Sequence, residues 1–217
     1  MDIELRPEGP SDYRETENVT REAFWNHYSP GCCEHYLLHI MRESPAFIPE
    51  LDTVAVHDKK IVGNAVYMKS IIEGDDGHTY EVLTLGPISV LPAYQRMGVG
   101  GRLIRYTRKL ARDMGFGGIL LCGDPGYYSR YGFIPAEALG IRTADHMYAA
   151  ALQVCELYEH ALSGAKGRYV EDGIYEVDES AVAAFDKDFP AKEAVTGLPT
   201  QKRFEELCAM RRKADRL

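Results

Sequence analysis

The run Gln95-Arg96-Met97-Gly98-Val99-Gly100-Gly101 places three glycines directly ahead of a stretch with helical periodicity. Backbone N–H groups at a helix N-terminus have no partner inside the helix and lie at the positive end of its dipole. Glycine lets an anion approach such a backbone closely. Arg96 to Gly101 therefore reads as an anion cradle, with a pyrophosphate as the simplest occupant. A P-loop would need Gly-x4-Gly-Lys-Ser/Thr, and no such lysine and hydroxyl follow. A dinucleotide fingerprint would need Gly-x-Gly-x-x-Gly, but Gly98-Val99-Gly100 runs into Gly101-Arg102-Leu103. A tight turn without a ligand is the remaining alternative. A second cluster, Tyr127-Tyr128-Ser129-Arg130-Tyr131-Gly132-Phe133, holds three phenols. On the letters alone, Tyr128 is a packed aromatic beside Tyr127 and Tyr131.

Several elements must hold these residues in place. Ile3 to Pro7 reads as a first strand. Ser11 is placed to cap a helix running to about Phe24, and Cys33 to Arg42 reads as a second helix burying Leu37, Leu38 and Met41. Asp52 to His57 and Ile61 to Ile72 form a hairpin around Asp58-Lys59-Lys60, and Tyr80 to Val90 is the next strand. Pro87, near that strand's end, points to a bulge or an edge. Gly98 to Met114 is a long helix stopped by Gly115, and Gly118 to Cys122 is a short buried strand. Asp124-Pro125 opens a brief helix, with Asp as N-cap and Pro in the first turn, and Gly132 stops it. Further on, Leu152–Leu157, Arg168–Val170 and Ile174–Val177 read as strands. Glu179–Phe185 and Gln201–Arg212 read as helices. The pattern is that of a mixed α+β sheet domain.

Composition narrows the classes of function. The chain has 217 residues, 45% of them apolar and 27% charged, which suits one soluble globular domain with a real core. The net charge of −8 argues against nucleic acid as partner and is compatible with a cationic substrate. No apolar run reaches the ~20 residues needed to span a bilayer, and Met1-Asp2-Ile3-Glu4 lacks the basic and apolar regions of a signal peptide. Five cysteines at 32, 33, 122, 155 and 208, odd in number and without framework spacing, indicate reduced thiols. The expected location is cytoplasmic.

Gln95-Arg96-Met97-Gly98-Val99-Gly100 resembles the Gln/Arg-x-x-Gly-x-Gly/Ala motif of the GNAT N-acetyltransferase superfamily. Tyr127 to Phe133 is similar to that family's Tyr-x-x-x-Gly-Phe element. The strings Leu85-Gly86-Pro87-Ile88-Ser89-Val90 and Gly123-Asp124-Pro125 through Phe133 resemble its bacterial YhbS-like branch in particular. The likeness is sharp from residue 85 to 135. It implies a sheet splayed at the fourth strand and an acyl-CoA N-acyltransferase that moves an acetyl group from acetyl-CoA to a primary amine by direct attack. A non-catalytic acyl-CoA-binding or regulatory domain is the alternative.

Carried over by position, the resemblance assigns the pyrophosphate to the amides of Arg96, Met97, Gly98, Val99, Gly100 and Gly101, with Gln95 at the head of the loop and Arg102 within reach of a CoA phosphate. It assigns the pantetheine arm to Ile88, Ser89 and Val90, and the general acid that protonates the leaving thiolate to Tyr128. A tyrosine, with an ordinary pKa of ~10, holds its proton at neutral pH. The base is less direct. The position where many relatives carry a carboxylate is Thr84, which cannot serve. Glu81, three residues earlier and on the opposite face of a regular strand, is named as base, with His78 at the strand's approach as the other candidate. On the letters alone both read as ordinary surface polar residues. Asp124-Pro125 stands near the place of an asparagine that contacts pantetheine in many relatives.

Cys32, His35 and His39 share a helical face, but no fourth ligand is evident, so no metal is expected. His35 and His39 are alternatively placed near the acceptor. Cys122 reads as a buried small residue rather than a nucleophile. The expected partition is an acetyltransferase domain over residues 1–179 and a helical C-terminal extension over 180–217, which covers the site or joins a homodimer.

Overall fold

The computed structural model describes residues 1–214. In chain order the elements are β1 (Glu4–Pro7), α1 (Tyr13–Phe24), α2 (Glu34–Met41), β2 (Thr53–His57), β3 (Lys60–Gly74), β4 (Thr79–Val90), α3 (Val99–Asp113), β5 (Gly118–Cys122), α4 (Pro125–Tyr128), β6 (Ile134–Pro135), β7 (Ile141–Arg142), β8 (Met147–Ala149), β9 (Leu152–Glu156), β10 (Gly167–Val170), α5 (Glu179–Asp186), α6 (Pro199–Ala209) and β11 (Arg211–Lys213). The main sheet has nine strands in the order β1-β2-β3-β4-β5-β9-β6, with β10 on β3 and β7 on β10. The β4–β5 and β7–β10 pairs are parallel; β1–β2, β2–β3, β3–β10, β5–β9 and β6–β9 are antiparallel. This is the mixed α+β sheet that the sequence predicts.

The chain divides into two compact units. The first comprises Met1–Tyr67, Gly86–Thr107 and Gly173–Phe204, and the second Met68–Leu85, Arg108–Asp172 and the described residues from Glu205 onward. In the first unit Val19 of α1 packs with Val54 and Ile61, and Val56 and Leu91 close the cluster. Gly63 lets strand and helix meet: a Cβ there would lie 2.8 Å from the Ser89 carbonyl and 3.3 Å from side-chain atoms of Val99 and Leu103. Buried charge in this unit is paired. The Arg42 guanidinium donates to Glu8 and to Glu17, each at 2.8 Å, and all three side chains are at most 6% exposed. Such pairs cost little only while both partners remain.

The C-terminal helices extend the first unit's packing. Asp178 caps α5 by accepting from the Ser180 N–H. Asp186 at its end takes two hydrogen bonds from Arg21 of α1, at 2.6 and 3.1 Å. His35 of α2 brings its Nε2 to 3.1 Å from the same carboxylate and stacks near Phe185 and Phe189.

In the second unit, Ile72, Val82, Leu120, Leu152, Val154, Leu162 and Tyr169 form the core. Here β5 pairs with β4 through Leu83↔Ile119 and Thr84↔Leu120, and with β9 along its whole length.

Four local expectations are corrected. Ser11 caps no helix; Pro10–Asp12 is a 3-10 turn whose Asp12 carboxylate takes the Gly9 N–H and the Arg6 guanidinium. Ile174–Val177 is not a strand, because Gly173–Tyr175 coils into a 3-10 turn and the Tyr175 hydroxyl donates to the Gly86 carbonyl. The last helix begins at Pro199 and ends at Ala209, where the Met210 carbonyl takes the Ala150 N–H and Arg211–Lys213 pairs with β8. Cys122 closes β5 exposed rather than buried.

Candidate functional site

Within the first unit, the end of β4 turns through a 3-10 turn at Pro92–Tyr94 into the glycine loop and α3. The Gln95 amide donates to the Val90 carbonyl at 3.0 Å, tying the loop's entry to the strand it leaves. Arg96 and Gly98 both take left-handed backbone, with φ of 60° and 86°. A Cβ at Gly98 would meet nothing within 4 Å, so the requirement there is backbone conformation and open approach rather than packing. Arg102 N–H bonds the Gly98 carbonyl at 3.0 Å and is the first bond of the helix. The amides of Val99, Gly100 and Gly101 therefore open α3 outside its own ladder. Val99, Gly100 and Gly101 are buried by their neighbours, while Arg96, Met97, Gly98 and Arg102 are exposed.

Along β4 the residues assigned to pantetheine alternate. Ser89 is 2% exposed, and its hydroxyl lies 3.2 Å from that of Thr20 on α1. Ile88 and Val90, on the other face, are half-buried. Ser89 thus turns its side chain inward, and only its backbone is available to a ligand.

Within the second unit, β5 ends at Cys122-Gly123, and Asp124 caps α4 by accepting the Gly126 N–H at 2.8 Å. Gly132, at φ 81°, terminates the turn after α4. Tyr128 is held on three sides. Its ring packs against Gly123, where a Cβ would stand 2.3 Å from its Cε2. Tyr127 meets it edge-on at 4.9 Å between centroids, and Phe133 at 5.7 Å. Tyr128 is half-buried, so its ring is fixed while part of it reaches the surface.

The second unit also holds a hydroxyl chain that the sequence does not announce. Thr84 is 3% exposed, and its Oγ1 donates to Ser70 Oγ at 2.9 Å. Ser70 in turn donates to the Val82 carbonyl. Thr84 is also hydrogen-bonded to the Tyr169 hydroxyl, which reaches Glu171 Oε1 at 3.3 Å. Burial raises the Glu171 carboxyl above its ordinary value. Tyr169 lies on β10 and Glu171 follows directly after the strand's end, two residues on. Nothing in the sequence tells that Tyr169 meets Thr84.

The other expected residues fall elsewhere. Glu81 and His78 are exposed toward the hairpin end of β4, with His78 beside Asp76. His35 is fully buried against Asp186, and burial lowers its pKa to about 4, so it is neutral and structural. His39 pairs with Glu17 at 2.9 Å. Among the described residues no group of three His, Cys, Asp or Glu side chains is placed to hold a metal ion. None of the described helices is long and apolar enough to cross a membrane.

A strand, a glycine turn with left-handed residues and a helix opened by spare amides, in a mixed sheet of this order, define the acyl-CoA N-acyltransferase fold. Residues 50–135 match the sequence model of the Acetyltransferase (GNAT) domain, and the chain as a whole is similar to proteins of that kind. Over 100 residues it is 35% identical to the uncharacterised N-acetyltransferase YjhQ of Escherichia coli, a match covering 46% of this chain and only 54% of that protein. Over 164 residues it is 26% identical to the uncharacterised N-acetyltransferase YhbS of Escherichia coli, covering 75% of this chain and 92% of the relative. The crystal structure of Escherichia coli YhbS in complex with CoA superposes with a TM-score of 0.71 at 23% identity, over 81% of this chain and 92% of that one. A GNAT family acetyltransferase from Brucella melitensis, solved with acetyl-CoA, gives 0.65 at 27% identity, over 81% and 99%.

Proposed function

We propose that this protein is an acyl-CoA-dependent N-acetyltransferase that moves an acetyl group from acetyl-CoA to a primary amine by direct attack, working in the cytoplasm. The observation that carries this reading is the opening of α3. Amides outside the helix ladder, a left-handed Gly98 and the exposed cations of Arg96 and Arg102 suit a diphosphate, and nothing in the packing of Gly98 requires that conformation. The Brucella melitensis relative, with acetyl-CoA bound, supports the choice of ligand.

In this reading the backbone of Ile88 to Val90 holds the pantetheine arm. The neutral amine nitrogen forms the new C–N bond to the thioester carbonyl, the C–S bond breaks, the thiolate takes the Tyr128 hydroxyl proton, and the extra proton shed by the nitrogen restores the phenol, directly or through water. Tyr128 suits that part because three neighbours fix its ring. The acceptor's class is set by the reaction, and its identity is left to a panel of amines.

One observation favours the non-catalytic alternative: Thr84, where a carboxylate would serve as base, is buried in a hydroxyl chain. The experiment that decides is continuous detection of free thiol with acetyl-CoA and a broad panel of primary amines, for the wild type and Tyr128→Phe. Amine-dependent thiol release that falls ~10²-fold or more in the variant, with acetyl-CoA binding kept, supports the reading. Binding of CoA with no release against any amine establishes the binding module. Full turnover by Tyr128→Phe removes Tyr128 from the role of acid.

A further inference from the structure

We infer that Tyr175, in the turn ahead of α5, closes the acyl end of the pantetheine slot and restricts the donor to short acyl chains. The inference rests on the acetyl-transfer reading above and adds the residue that sets the size of the group moved.

Three observations within the first unit carry it. The first is direction. The glycine loop follows β4 in the chain, so a diphosphate at the opening of α3 lies past the strand's C-terminal end. An arm laid on Ile88 to Val90 from there runs against the strand. Its acyl end lies toward Gly86, four residues back from Val90, or about 13 Å at ~3.3 Å per residue.

The second is the edge such an arm would use. The Leu91 N–H bonds the Val62 carbonyl of β3 at 2.9 Å, and the Ser89 carbonyl approaches Gly63 of the same strand, where a Cβ would stand 2.8 Å from it. Backbone groups alternate between a strand's two edges, so those of Val90 and Ile88 face away from β3. The alternation reaches Gly86: Gly86, Ile88 and Val90 are half-buried, whereas Pro87 and Ser89 are buried. Two carbonyls of this set are taken by side chains. Val90 accepts from the Gln95 amide at 3.0 Å, and Gly86 accepts from the Tyr175 hydroxyl at 3.2 Å. Between them the backbone of Ile88 is what the slot offers to the amides of the arm. Tyr175 thus stands one alternation beyond Ile88, where the arm ends and the acyl group begins.

The third is that the ring is held. Tyr175 ends a 3-10 turn, Gly173–Tyr175, closed by the Glu176 N–H on the Gly173 carbonyl at 3.1 Å. Asp178 then caps α5 by accepting the Ser180 N–H, and Asp186 at the helix's end is tied to Arg21 of α1. Tyr175 is half-buried, and its phenol swings clear only by giving up the bond to Gly86. A fixed aromatic at the end of a slot sets a length, and each methylene it excludes changes kcat/KM by about 10–200-fold.

The test is kcat/KM for thiol release from acetyl-, propionyl-, butyryl- and hexanoyl-CoA by the wild type, Tyr175→Phe and Tyr175→Ala, with whichever amine of the panel the wild type uses best. Kd for acetyl-CoA and butyryl-CoA by titration calorimetry is the second readout. The ratio of butyryl to acetyl within one protein decides, because a general loss of structure lowers both values alike. The wild type is expected to favour acetyl over butyryl by ~10-fold or more, and Tyr175→Ala to raise the ratio by ~10-fold or more in butyryl's favour. Tyr175→Phe, which keeps the ring and drops the bond to Gly86, is expected to hold the preference within about threefold of the wild type. Tyr175→Leu carries the same comparison, in the same direction and by less, if the alanine chain does not fold. A wild type that uses butyryl-CoA as well as acetyl-CoA overturns the inference, as does an unchanged ratio once the ring is removed. A wild type that neither binds acetyl-CoA nor releases thiol from it defeats the underlying reading, a different result from a working enzyme indifferent to Tyr175.

Discussion

Gly123→Ala tests whether the position of the Tyr128 ring matters, without touching the ring's chemistry. Gly123 lies outside the left-handed region, so alanine fits its backbone, but its Cβ would stand 2.3 Å from Tyr128 Cε2, 2.9 Å from Cδ2 and 3.1 Å from Leu121 Cδ1. Carbon atoms settle at about 3.5–4.0 Å, so the ring must retreat by more than about 1 Å. A displacement of that size at a reacting group costs about 10²-fold in rate, near 2.7 kcal/mol of barrier. The assay is thiol release at saturating acetyl-CoA, with Tm and KM for acetyl-CoA as controls. We expect kcat to fall by about 10²-fold with KM for acetyl-CoA nearly unchanged. Because both changes act through one hydroxyl, Gly123→Ala combined with Tyr128→Phe should be no slower than Tyr128→Phe alone. A Gly123→Ala enzyme with wild-type kcat refutes the placement of Tyr128 at the reaction.

Gly98→Ala should weaken acetyl-CoA binding, since an L-residue resists φ 86° by about 1–2 kcal/mol and its methyl group crowds the approach; titration calorimetry that finds wild-type affinity counts against the cradle. Asp52 offers a stability test. Burial first, and then its hydrogen bond with Glu8, raise the Asp52 carboxyl well above the ordinary carboxylate range, while Asn64 donates to it at 2.8 Å. The folded chain therefore binds this proton more tightly than the unfolded chain, so the stability it contributes is complete below the ordinary carboxylate pKa and is lost as pH rises toward the raised value. Asp52→Asn, which mimics the protonated acid, should flatten the decline of Tm with pH and raise Tm at pH 8. Parallel Tm–pH curves for the two proteins would contradict that assignment.

The strand–glycine turn–helix at Val90 to Arg102 was legible because its signal is local: glycines, a strand end and a helix start lie within a short run, and backbone conformation follows from residue type there. The α4 cap was legible for the same reason, Asp124 standing directly before Pro125. Elements of two or three residues such as β6, β7 and β11 were not, since alternation needs more length to register. Ser11 was misread because Asp12 competes for the same turn through Arg6. The hydroxyl chain at Thr84 lay beyond reach for a different reason. Thr84 and Tyr169 are 85 residues apart, and Arg21 and Asp186 are 165 apart. Only the fold brings such pairs together, and each side chain alone reads as an ordinary polar residue. The sequence shows that Thr84 cannot serve as base, but its hydrogen bond to Tyr169 is visible only in three dimensions.

The central claim is that the opening of α3 holds acetyl-CoA, and thermal unfolding with and without acetyl-CoA tests it most directly. At a concentration one hundred times Kd, binding adds about 2.7 kcal/mol, which for a chain of this size raises Tm by about 5–10 °C. The account predicts that rise for the wild type and a clearly smaller one for Gly98→Ala at the same concentration. An unchanged Tm at millimolar acetyl-CoA contradicts it.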